Sequence, residues 1–301
     1  MHYVDIKGNN HQAKPDHYRH WRLRRNAMIA DTAKKIALAL RLHARLSRVR
    51  WNRRQQLSVL LRAGTASGDA CPICESRCVA EVSFDRPEGR IVKSFCRSCQ
   101  HLFTEFLQTD PNVGNAIFRF ANENAGMATQ VKLLAELAER SGKARGTYLD
   151  FGVGANIGAF QEARRSMPSH RFMGCDVYDS GISGYFRTYD PTAPLGKFDG
   201  VSSYAVIEHL TETLKSWCLL NRLLKPMAEG GGIMVHAFPS QLHHDFEHWA
   251  IQITTHVCVF SRKSLRRTCR ASGFELVKAD PPRPVGPHDH PIMVFRKFKD
   301  V

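Results

Sequence analysis

The sequence is short of acid where it is richest in base. Residues 1–63 carry 15 Lys/Arg against three Asp (Asp5, Asp16 and Asp31) and no Glu, a balance of +12. The formal net charge of the 301 residues is +15, so the remaining residues contribute only +3. Basicity therefore belongs to one segment, and the rest of the protein is close to neutral. No run approaches the roughly 18 apolar residues of a membrane span, and the opening MHYVDIKGNNHQAKP has no apolar core of an export signal. The expectation is a cytoplasmic protein, with the inner membrane face as a peripheral location. In that compartment, nine cysteines read as thiols or metal ligands and not as disulfides.

Within the basic segment, Leu38, Leu42, Leu46, Val49, Leu57 and Leu60 recur at helical spacing with Arg41, Arg45, Arg48 and Arg50 among them. An amphipathic basic helical extension over 1–66 is expected. Its apolar stripe packs on this chain or on a second copy in a homo-oligomer, and residues 19–62 are otherwise the candidate contact for an anionic membrane surface or RNA.

Cys71-x2-Cys74 and Cys96-x2-Cys99, separated by residues 75–95, carry the metal signal. Each CxxC turns tightly enough to bring two thiolates to one ion, and two such knuckles complete a tetrahedral four-thiolate set with no open position. The reading is a structural Zn2+ in a zinc-binding module over 67–109, with VAEVSF and RIVKSF as hairpin strands and Pro87-Glu88-Gly89 as their turn. Cys78 and His101 are alternative ligands, and an iron–sulfur cluster is the alternative occupant.

Past a helical pattern over 128–141, TYLDF enters the glycines of YLDFGVGANIG. The order strand, glycine turn, helix is that of a nucleotide-binding unit. A dinucleotide fingerprint needs a third glycine at position 157, which is Ile, so that reading fails. What remains is Asp150-x-Gly152-x-Gly154, and here the chain resembles the class I S-adenosylmethionine-dependent methyltransferases, whose first motif is D/E-x-G-x-G-x-G. Asn156 stands at the third glycine; Asn is one of the few side chains that adopt positive φ readily. The resemblance continues in order. RFMGCD ends in Asp176, placed to accept from ribose hydroxyls, with Asp179 as a competitor and capping of the next helix as its other role. FDGVSSYAVIEHL matches the family's fourth-strand signature, and a glycine-rich turn, a fifth strand and a final hairpin with an antiparallel last strand follow.

The resemblance implies an α/β fold over 110–301: a Rossmann-like, doubly wound, seven-stranded methyltransferase sheet. It implies S-adenosyl-L-methionine as cofactor, held by Asp150, Gly152, Gly154, Asn156 and Asp176, with Asp190 as the adenine-side candidate. Asp150 is suited to the ligand's charged amino group. The chain has Ser202-Ser203-Tyr204 where amine-methylating enzymes of bases carry N/D-P-P-Y/F, and no cysteine nucleophile there for ring-carbon methylation. A small polar acceptor follows as the expectation, a nucleotide-activated sugar among the candidates, methylated at carbon or oxygen. His209 is the candidate base, or a residue that shapes the helix start; Glu208 is the second choice. Two other readings stand beside this one: a zinc-bearing ribosomal or transfer RNA methyltransferase, and a non-catalytic scaffold with the same fold. The cluster His243, His244, His248 and His256 is assigned to substrate contacts. An H-x-x-E-H metal site through His244, Glu247 and His248, or a plain surface loop, is the alternative.

Overall fold

A computed structural model describes residues 3–4, 10–11, 63–66, 70–86, 89–104, 125–153, 157–176, 186–188, 195–244, 246, 248–253, 255–279 and 291–301. The basic helical extension expected over 1–66 lies outside these apart from residues 3–4, 10–11 and 63–66, which are strands. The chain forms two compact units, Met1–Leu57 and Ser58–Val301. In the first, strands β1 (Tyr3–Val4) and β2 (Asn10–His11) pair antiparallel.

The second unit begins with β3 (Ala63–Ala66), β4 (Val79–Arg86), β5 (Gly89–Cys96) and the short β6 (Leu102–Phe103). The expected hairpin is β4–β5, paired without interruption from Val79↔Cys96 to Arg86↔Gly89. The expected boundary at 109/110 lies outside the described residues.

The larger sheet then follows in chain order. Helix α1 (Ala125–Ser141) leads into β7 (Thr147–Phe151), α2 (Ile157–Ser166), β8 (Arg171–Asp176), β9 (Phe186–Thr188) and β10 (Gly200–Tyr204). After these come α3 (Thr213–Leu223), β11 (Ile233–Ala237), α4 (Trp249–Gln252), β12 (Cys258–Val259), α5 (Arg262–Ala271), β13 (Phe274–Ala279) and β14 (Ile292–Lys297). Seven strands join in the order β13-β14-β11-β10-β7-β8-β9. All neighbours are parallel except those of β14, which runs against both β11 and β13.

Strand periodicity explains why helices cover both faces. Leu149 and Phe151, Met234, and Met293 and Phe295 point into one apolar cluster with Trp217 and Leu220 of α3 and Leu265 of α5. The alternate residues Tyr148, Val235 and Val294 point into a second cluster with Leu133, Leu134 and Leu137 of α1 and Phe160 of α2. A strand buried on both sides is apolar on both faces except where its polar side chains find internal partners, as Asp150 does with Ser202 and Ser203 with His236. Close packing also selects a residue: a Cβ on Gly200 would come within 2.5 Å of Leu137 Cδ1. Helix α5 starts at a capping box in which Ser261 and Ser264 each accept from the other's backbone N–H.

Strand β12 does not join the seven-stranded sheet but the other one. It pairs antiparallel with β6, giving a five-stranded sheet of order β12-β6-β5-β4-β3. The four-cysteine hairpin and the segment between β11 and α5 therefore belong to one hydrogen-bonded sheet. Among the described residues, no helix is long and apolar enough to cross a membrane.

Candidate active site

The strand order reverses direction between β7 and β10, and in doubly wound sheets ligands bind at the carboxyl ends beside such a point. Gly152, the first residue after β7, has φ +74°, a conformation L side chains rarely adopt. A Cβ there would also lie 2.4 Å from Val206 Cγ2. Conformation and space thus both demand glycine. The backbone N–H groups of Gly152 and Val153 donate to the carbonyl of Cys175 across 2.9 and 3.2 Å. That bond ties the glycine turn to the end of β8, one residue before Asp176, which is half-buried. The two features expected to hold the cofactor are built as one rigid corner. Gly154, Asn156, Asp179 and Asp190 lie outside the described residues.

Asp150 sits one pleat below that corner, fully buried. Its Oδ1 accepts from Ser202 Oγ at 2.8 Å and its Oδ2 from Gln130 Nε2 of α1. Burial pushes the carboxyl up to about 7, against the two hydrogen bonds that hold it down; nearby Asp176 adds to the rise. These two donors use one acceptor position on each oxygen, and a carboxylate offers about four in all, so Asp150 keeps acceptor capacity for a ligand amino group. In the structure, Asp150 is a post joining α1, β7 and β10 beneath the turn.

Just past the end of β10, the 3-10 turn Ile207–His209 places Glu208 and His209. Glu208 is fully buried, and neither carboxyl oxygen finds a hydrogen-bond partner among the described residues. Burial raises its carboxyl to about 8. His209 Nδ1 lies 2.7 Å from the Thr255 carbonyl, so it carries the proton and leaves Nε2 as the basic nitrogen. Burial lowers the imidazole's pKa, and the Lys93 charge adds to the effect, which keeps it neutral at pH 7. His256 closes the group: its ring stands edge-on to His209 with centroids 4.9 Å apart, and its Nε2 is 3.9 Å from Glu208 Oε1.

Residues 119–279, more than half of the chain, match the methyltransferase domain family. The chain belongs to that family. With the seven-stranded order and the glycine corner, it is a class I S-adenosylmethionine-dependent methyltransferase. The fold resembles that of the 1,6-didemethyltoxoflavin-N1-methyltransferase of Burkholderia thailandensis, solved with S-adenosylhomocysteine (15% identity, 79% of this chain and 100% of that one, TM-score 0.45). It also resembles the N-methyltransferase NodS of Bradyrhizobium japonicum (15%, 60% and 99%, TM-score 0.42). An S-adenosylmethionine-dependent methyltransferase of Clostridium acetobutylicum is similar too (10%, 62% and 99%, TM-score 0.41). At these scores the structures add a likeness only; the assignment rests on the domain match. No curated protein matches the sequence.

The methyltransferase's four cysteines come together as expected. The sulfurs of Cys71 and Cys99 lie 3.5 Å apart, as do those of Cys74 and Cys96, and all four fall within 4.8 Å of one another. A tetrahedral ion with bonds of about 2.3 Å sets sulfurs roughly 3.8 Å apart, so the donor set fits. The backbone N–H of Cys99 donates to Cys96 Sγ at 3.4 Å, the bond that a tight CxxC knuckle makes to its thiolate. Of the two alternative ligands, Cys78 is exposed and outside the cluster. His101 is buried between the rings of Phe103 and Phe260, and its pKa, lowered by burial to about 3, keeps it neutral.

The structure separates what the sequence had grouped. His244 and His248 stack on each other at 4.1 Å, but among the described residues they belong to no metal-holding group, and Glu247 lies outside those residues. His256 groups with Glu208 and His209. Nothing in the sequence pairs positions 47 residues apart across α3, β11 and α4. Lys93, Gln130, Ser202 and Val206 were also missed as supports. Lys93 alone carried a signal: a cation at an inward position of a strand.

Proposed function

We propose that this methyltransferase transfers a methyl group to a small polar acceptor, a hydroxyl or an acidic carbon such as those of a nucleotide-activated sugar, that enters over the Glu208–His209 turn. The observation that carries this reading is the buried polar group at the end of β10, next to the corner formed by Gly152 and Asp176. Such an arrangement suits proton removal more than recognition of a base: Ser202, Ser203 and Tyr204 offer no proline-framed carbonyls there.

S-adenosylmethionine, when bound, supplies the electrophilic methyl group. Gly152 gives the ligand close access to the backbone, and Asp176 offers its carboxylate to hydroxyl donors. Methyl transfer is an in-line displacement that needs alignment above all, with a base where the acceptor must lose a proton. His209 supplies that base: its Nδ1–H is pinned to Thr255, its Nε2 holds the lone pair, and burial keeps it unprotonated. We further propose that Cys71, Cys74, Cys96 and Cys99 hold a structural Zn2+. Four protein thiolates leave it no position for substrate.

The charge of residues 1–63 favours a second reading, an RNA acceptor held through phosphates. Radiolabelled methyl transfer to sugar nucleotides and to ribosomal RNA, at low and high salt, decides between them. Labelling of small acceptors that salt leaves unchanged supports the first reading. Labelling of RNA alone, abolished by salt, overturns it.

A further inference from the structure

We infer that Glu208, His209 and His256 form a second metal site in this protein, one that takes a single divalent first-row transition cation. One ligand atom from each residue lies within 4.8 Å of the other two. An ion bound at about 2.0–2.2 Å draws such atoms to roughly 3–4 Å apart, a contraction that side-chain torsions supply.

Three features set this group apart from a chance meeting of polar residues. The first is Glu208, a carboxylate with no exposure and no donor on either oxygen among the described residues. A buried acid in that condition is unstable unless a cation or a proton completes it. The second is the orientation of the imidazoles. His209 Nδ1 is bonded to the Thr255 carbonyl at 2.7 Å and His256 Nδ1 to the Ala250 carbonyl at 2.5 Å. Each carbonyl fixes the proton on Nδ1 and turns Nε2 into the ligand nitrogen, as the outer hydrogen bonds of metal-binding histidines do. The third is that among the described residues no Lys or Arg completes Glu208: the buried Lys93 Nζ donates to the His256 carbonyl at 2.7 Å and not to the carboxylate.

Two imidazoles and one carboxylate suit Zn2+, Fe2+, Mn2+ or Co2+ better than Ca2+ or Mg2+, and they differ from the soft four-thiolate set. Three protein ligands leave positions open, and His209 is only half-buried, which keeps an approach from the acceptor side. The role of the site rests on the methyl-transfer reading; its existence does not. With an ion bound, His209 Nε2 is a ligand and no longer the free base. An acceptor hydroxyl would bind through its oxygen and lose its proton to solvent; the oxygen's electron pair would form the new bond to the methyl carbon as the carbon–sulfur bond of the sulfonium breaks, its pair leaving on the sulfur of S-adenosylhomocysteine.

Equilibrium dialysis of the full-length protein against Co2+, after a single equivalent of Zn2+ per chain has been added to fill the tighter four-thiolate site, tests the inference. Bound Co2+ is counted by elemental analysis and characterised by its visible spectrum. One added Co2+ per chain, with the weak bands of a nitrogen–oxygen site, is expected for the wild type. Both Glu208→Gln and His256→Gln should lose it while keeping the Zn2+ and the thermal transition. A wild type that takes up no Co2+ beyond background overturns the inference without any variant, and so does retention by the two folded variants. Titration of the same samples with S-adenosylhomocysteine separates the outcomes. Cofactor binding without Co2+ uptake removes the metal site and leaves the methyltransferase reading standing.

Discussion

Lys93 Nζ donates to the backbone carbonyl of His256 across 2.7 Å, joining the middle of a strand in the four-cysteine sheet to the residue that faces Glu208. Lys93 is 1% exposed, and burial lowers its pKa to about 7. An unfolded lysine titrates near 10.4, so between those values the unfolded chain binds the extra proton and folding stability rises with pH. The penalty is complete below about pH 7 and gone above about pH 10. Lys93→Met should abolish this rise. Denaturant midpoints at pH 7 and pH 9.5 read it, and an unchanged slope in the variant contradicts the assignment.

Asp150 titrates with the opposite sign. Its carboxyl is raised to about 7, so between about pH 4 and pH 7 the folded chain holds the proton, and its contribution to stability falls as pH rises through that window. Asp150→Asn should flatten the fall. Asp150→Ala should cost more, about 2–4 kcal/mol, because it orphans both Ser202 and Gln130. Thermal melts of the two variants at pH 5 and pH 8 separate charge from hydrogen bonding.

Gly152→Ala brings two separate penalties. The positive φ costs about 1–2 kcal/mol for an L side chain, and the overlap with Val206 adds about as much again. Affinity for the cofactor should drop at least tenfold. Adding Val206→Ala should restore part of it, since only the steric share is relieved. Full recovery would show that the backbone conformation is not needed.

The four-cysteine sheet should matter to turnover without touching the cofactor corner. Ser261 Oγ donates to the Cys99 carbonyl at 3.0 Å, Thr104 N donates to the Val257 carbonyl at 3.0 Å, and Cys258 Sγ donates to the Ile207 carbonyl at 3.0 Å. These bonds run from the knuckles through β12 to the Glu208–His209 turn. Cys96→Ser, or chelation, should lower both thermal stability and methyl transfer, and should leave affinity for S-adenosylhomocysteine within a few-fold. Loss of cofactor affinity equal to the loss of turnover would contradict this route.

Much of this was legible in the chain because its signals are local. Asp150-x-Gly152 and the CxxC pairs each lie within one turn, where the backbone dictates which residue fits. The catalytic sheet was legible because β7, β8, β10 and β11 are short apolar runs punctuated by glycine. Strand β12 was not: CVF continues straight into a helical pattern, and only its pairing with Leu102–Phe103 makes it a strand. The same holds for β9, a three-residue strand inside a polar loop. The meeting of His256 with Glu208 depends on how α4 and β12 return to β10, a tertiary fact with no sequence period to announce it. Helix α3 starts at Thr213, six residues before the apolar LLNRLL run that signals it.

The central claim, that the corner of Gly152 and Asp176 holds S-adenosylmethionine, is tested most directly by calorimetric titration of the metal-replete protein with S-adenosylmethionine and S-adenosylhomocysteine, beside Asp176→Ala. One site per chain, weakened at least tenfold in the variant, is the predicted result. A folded wild-type protein that binds neither ligand, or a variant that binds both as tightly, would contradict it.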